Sequence, residues 1–94
     1  MTLDQFRRTV AETRPPAGIS APLEALWWAA KGNWDKAHGI VMDDGSREAA
    51  WVHAHLHRIE GDLSNARYWY SQAGRTPATA SVEREWEEIS AALL

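Results

Sequence analysis

Two copies of one short turn, 29 residues apart, constrain the fold of this chain more than any other feature of its sequence. Gly32-Asn33-Trp34-Asp35-Lys36-Ala37 aligns with Gly61-Asp62-Leu63-Ser64-Asn65-Ala66. The correspondence runs backwards through Leu23 and Val52, Ala25 and Ala54, Trp27 and Leu56, and Trp28 and His57. In each copy a glycine ends one apolar-periodic stretch and an Asn or Asp opens the next, the stop of one helix and the cap of another. Neither helix–turn–helix unit can bury its apolar stripe alone, so the two copies must stack.

The rest of the chain reads the same way. Thr2 followed by Gln5 forms a capping box ahead of Leu3, Phe6 and Val10, and Arg14-Pro15-Pro16 stops that first helix. Ser20 caps a second helix with Pro22 in its first turn and Leu23, Trp27 and Ala30 along its stripe. The third runs from about Trp34 to Met42, and the turn Asp43-Asp44-Gly45-Ser46 caps a fourth that carries Ala49, Val52, Leu56 and Ile59. Leu63, Ala66, Tyr70 and Ala73 stripe the fifth, ended by Gly74 and Pro77. The last, from about Thr79, sets Val82, Trp86, Ile89 and Leu93 against a Glu/Arg face. Strand-like alternation is nearly absent. The expectation is a single all-α domain over 1–94, with six antiparallel helices: a capping helix in 1–14, two helical hairpins in 20–77, and a C-terminal amphipathic helix in 79–94.

The segment 20–77 resembles the tetratricopeptide repeat family. The resemblance rests on the turn glycines Gly32 and Gly61, the small residues Ala25 and Ala54 seven positions earlier, and Trp34 and Leu63 after the turns. Ala37 and Ala66 follow, then Val41 and Tyr70 four residues on, with Ala73 and Pro77 completing the second copy. It implies a helical-hairpin array that binds a protein or peptide along the groove formed by the first helix of each hairpin. The repeat departs from the family in its shorter spacing. It also carries Glu24 and His53 where the family has leucine, and Trp28 and His57 where it has tyrosine. Residues 51–58, with Glu60-Gly61-Asp62 and residues 66–70, are also similar to small uncharacterised bacterial proteins, a likeness that implies no activity.

Composition narrows the function. Ten Lys and Arg against thirteen Asp and Glu give a formal charge of −3, without the basic excess that displaces phosphate counterions, so no nucleic acid is expected. There is no cysteine, which excludes disulfides and thiolate chemistry. The start of the chain lacks a signal-type apolar core, and no apolar run approaches the roughly 20 residues of a membrane helix. A cytoplasmic protein without membrane contact or cofactor is expected. Ser20, Ser46 and Ser81 sit at helix starts as caps, no Gly-x-Ser-x-Gly elbow exists, and the glycines are scattered singly, so no catalytic set is assigned.

Six tryptophans, against a single phenylalanine, are the stronger clue. Trp27, Trp34 and Tyr70 fall on packing positions, and Trp86 on the stripe of the last helix. Trp51, His55, Arg58 and Trp69 form the expected interaction surface, because Trp and Arg are frequent interface anchors and the first three fall on the groove-lining helix. Either a partner or the terminal helices must cover them, and a second copy of the chain would serve as partner. The expectation is a non-catalytic protein-interaction or self-association module. The alternative is a small-ligand or metal-binding protein, with enzymatic activity as one form of it. It would use His53 and His57, four apart on one helix face, with Glu24 as third ligand. Protonation of all four histidines would move the formal charge from −3 to +1 between about pH 7 and pH 5, a means of altering association.

Overall fold

The computed structural model describes residues 1–94. Six helices follow one another: α1 Leu3–Thr9, α2 Ala21–Ala30, α3 Trp34–Val41, α4 Arg47–Ile59, α5 Leu63–Ala73 and α6 Val82–Leu93. There is no strand, so the chain is all-α, as its periodicity predicts. No helix is long and apolar enough to cross a membrane.

Every helix starts where a side chain can accept an otherwise orphaned backbone amide. Thr2 and Gln5 satisfy each other reciprocally, and Ser20, Asn33, Ser46, Asp62 and Ser81 each accept the amide three residues on. α6 therefore begins after Ser81 rather than near Thr79. α1 is shorter than the 1–14 stretch predicted for it. The Thr9 hydroxyl bonds the Phe6 carbonyl at 2.6 Å and takes the Trp27 indole N–H at 3.2 Å.

The sequence repeat is a structural repeat. Gly32 and Gly61 have φ of 81° and 82°, a left-handed conformation that glycine adopts without steric cost. In the first turn the Gly32 amide bonds Ala29 O and the Asn33 amide bonds Trp28 O; in the second, Gly61 bonds Arg58 O and Asp62 bonds His57 O. This is the Schellman arrangement, and its last residue in each copy is already the cap of the next helix.

α2 pairs with α3 and α4 with α5 as hairpins, α4 also meets α2 and α3, and α6 lies across α1, α2 and α4. Ala25, Ala37 and Ala54 are fully buried and Ala66 nearly so, which lets the helix axes approach closely. Phe6, Leu26, Trp27, Val52, Leu56, Trp86 and Ile89 pack with Ala25 and Ala37 in the main core, and Ala54 and Ala66 pack with Tyr70 in a smaller one. Trp86 stacks on Phe6 with ring centres 5.6 Å apart and donates its indole N–H to Leu26 O at 2.8 Å, fastening α6 to α1 and α2. Four positions differ from the stripes read in the sequence: Ala30 and Ile59, each at the C-terminal end of its helix, are exposed, and two further residues depart more sharply. Leu63, at the first position of α5, is 55% exposed, while Glu85, assigned to the charged face of the last helix, is 2% exposed.

Candidate functional site

α4 carries three of the four residues of the predicted interaction surface, and the structure divides them. His55 is 1% exposed: its Nδ1 lies 2.7 Å from Glu85 Oε1 of α6. His55 is therefore no part of a surface, because α6 occupies the groove that it faces. Arg58 is turned inward as well, donating to Glu85 Oε1 at 3.2 Å and to Ala80 O. The Tyr70 hydroxyl of α5 donates to the other oxygen of Glu85. Desolvation alone would push the Glu85 carboxyl up; the bonds from His55, Tyr70 and Arg58 more than offset it and hold it below its ordinary value. The same burial, with the Glu85 carboxylate alongside, pushes the Tyr70 hydroxyl well above its ordinary value. Glu85 thus ties α4, α5 and α6 together at one buried point.

Trp51 and Trp69 stay half-buried. The Arg75 guanidinium, just past α5, sits 3.4 Å over the Trp51 ring, a cation–π contact. Both line a cleft of about 660 Å³ between α4, the 74–78 linker and the C-terminal half of α6, with Arg47, Glu48, Thr76 and Glu88 around them. Neither Arg47 nor Arg75 is paired with a carboxylate. Arg75 and Arg47 carry no signal in the repeat, since one sits in the linker and the other in the first turn of α4; only the structure brings them to Trp51.

Trp69 faces elsewhere. It stacks on His53 with centres 3.9 Å apart and 14° between planes. Beside them His38 of α3 meets His53, Nε2 to Nε2 at 3.0 Å, and stacks on Trp34. His57 stacks on His53, and its Nδ1 lies 2.6 Å from Glu60 Oε1. The coordinating atoms of His38, His53 and His57 all lie within 4.8 Å of one another. Glu24, the third ligand expected from the sequence, does not join them. It occupies in α2 the position of His53 in α4, and equivalent positions of stacked units are displaced along the array rather than facing. The residue that does face the pair is His38, legible in sequence only as the position four after Trp34, where the two rings share a helix face.

Burial, then the neighbouring His38 and His57, hold His53 down at about 4. Burial, then His57, also lowers His38, against the opposing pull of Glu60 and Asp35. The four histidines therefore do not all charge by pH 5, and the swing to +1 expected from composition is not completed there.

No family model matches the chain, and no solved structure matches it. A stretch of 71 residues, 73% of the chain, is 32% identical to extracellular matrix-binding protein EbhB of Staphylococcus aureus strain N315 and to extracellular matrix-binding protein ebh of strain JH9. The corresponding identity to EbhB of strain Newman is 31%. The chain spans only 1–2% of the length of these relatives.

Proposed function

We propose that this chain is a non-catalytic protein-binding module, a two-unit array of the tetratricopeptide kind, that takes a short acidic peptide segment in the cleft around Trp51 and Arg75. One observation carries the reading: a guanidinium held 3.4 Å over a half-buried indole at the wall of an open cleft, with a second unpaired arginine on the same wall. Stacking fixes the Arg75 plane and leaves its in-plane N–H donors for a carboxylate, while the indole edge offers apolar contact to the next side chain. Because α6 fills the groove between the first helices of the hairpins, the cleft replaces that groove as the docking surface. The similarity to segments of proteins named for matrix binding agrees with a protein-binding role.

Peptides selected from a random library on the wild-type protein test this. They should be rich in Asp or Glu, weaken with added salt, and lose about tenfold or more in affinity on Trp51→Ala and on Arg75→Glu. Arg75 is exposed, so its variant leaves the fold intact. Equal binding to both variants would overturn the reading. So would a chain that binds no peptide and only self-associates in sedimentation velocity.

A further inference from the structure

We infer that His38, His53 and His57 form a binding site for one divalent transition-metal ion of the zinc class, with Glu60 as the outer partner that orients His57. The inference goes beyond the peptide-binding reading and does not depend on it. In a tetrahedral zinc centre with Zn–N of about 2.0–2.1 Å, two ligating nitrogens stand roughly 3.3 Å apart. The facing Nε2 atoms of His38 and His53 are 3.0 Å apart, and the third imidazole places its coordinating atom within 4.8 Å of both. Drawing the His57 nitrogen in from within 4.8 Å to roughly 3.3 Å of the other two completes a three-histidine face.

The chemistry of each ring fits. With Glu60 accepting at Nδ1, the His57 proton sits there and the Nε2 lone pair is free to coordinate, the carboxylate–histidine arrangement that supports metal-bound imidazoles. His53 and His57 are buried and cannot turn to water, and stacking on Trp69 and Trp34 fixes the planes of His53 and His38. Without an ion, His38 and His53 share one proton across their Nε2 atoms, and the buried Nδ1 of His53 has no partner. Coordination requires that each Nε2 present a lone pair. With the shared proton on His38, whose ring is partly exposed, that proton moves to Nδ1 through solvent, a change of tautomer with no net release. An all-imidazole set selects zinc, cobalt, nickel or copper over magnesium or calcium, and three ligands leave a coordination position for water.

The test is calorimetric titration of zinc chloride into tag-free, chelator-stripped protein, with cobalt(II) visible absorption as a readout of geometry. One equivalent should bind, and cobalt should give the intense bands of a tetrahedral centre. Glu60→Gln should weaken zinc about tenfold or more, and His38→Ala by more than such an outer-partner loss. Glu24→Gln should change nothing. Glu60 is exposed, so its variant keeps the test valid should a histidine variant lose its fold. Absence of one-to-one binding would overturn the site, as would binding undiminished by His38→Ala and Glu60→Gln. The titration reads the α3–α4 face alone, so its failure leaves the Trp51 cleft untouched, and failure of peptide binding leaves the metal site untouched.

Discussion

Glu85 shows how much one buried carboxylate decides in a domain of this size. It accepts from His55, Arg58 and Tyr70, so removing any one donor leaves part of an ionised group unpaired inside the protein. The hub also sets the pH limits of the fold. The Glu85 carboxyl is held below its ordinary 4.5 in the folded chain. Its contribution is therefore present above 4.5 and is lost as pH falls through the folded value, where the unfolded state binds the extra proton. Tyr70 works in the opposite direction. Raised above its ordinary 10.0, it contributes stability that is complete below 10 and lost as pH rises through its folded value. Urea unfolding across pH should thus show losses at both ends. Tyr70→Phe should cost about 1–3 kcal/mol at neutral pH and abolish the alkaline loss; an unchanged alkaline limb would contradict the hub. The sequence held a signal for Glu85, which falls three residues after Val82 and four before Ile89, on the apolar stripe. Its charge concealed it, because a carboxylate in a stripe reads as a face boundary until its partners on two other helices are seen.

At the scale of elements, the turns were legible because their chemistry is local. A glycine that must take positive φ followed by an Asn or Asp acceptor specifies a helix stop and a helix start together, whatever surrounds it. Gly61 has no heavy atom near the place a Cβ would occupy, so Gly61→Ala adds no clash, only the strain of its φ of 82°. It should destabilise by about 1–2 kcal/mol. Gly39, inside α3 with equally open surroundings, should respond with the opposite sign, Gly39→Ala gaining about 0.5–1 kcal/mol. Thermal unfolding of the two variants checks both signs. The ends of α1 and α6 were less legible. Their apolar stripes, Leu3 to Val10 and Val82 to Leu93, end within one residue of the helices, but the residues between each stripe and the nearest proline carry no periodic signal that marks the helix end.

At the scale of the molecule, the six-helix array has two faces with different chemistry. One carries the Trp51–Arg75 cleft between α4, the linker and α6; the other carries the histidines between α3 and α4. Trp51 and Trp69 were visible in the sequence as aromatic residues without a place in the core, and the structure keeps both half-buried. His55 and Arg58 share a helix face with Trp51, but periodicity assigns a face and not what covers that face. The covering helix, α6, is brought there by the stacking of Trp86 on Phe6, from the opposite end of the chain, and by the bond of Glu85 to His55, 30 residues away. For the same reason Arg75 and His38 escaped: each belongs to its site through tertiary neighbours, not through spacing. Docking of an acidic peptide in the cleft, as proposed, is tested by a heteronuclear NMR titration of the wild-type protein with a selected peptide. Saturable shifts of the Trp51 indole N–H and of the Gly74, Arg75 and Thr76 amides are expected, with α1 and α2 unmoved. Shifts confined to other faces, or no saturable shift at Trp51 and Arg75, would contradict it.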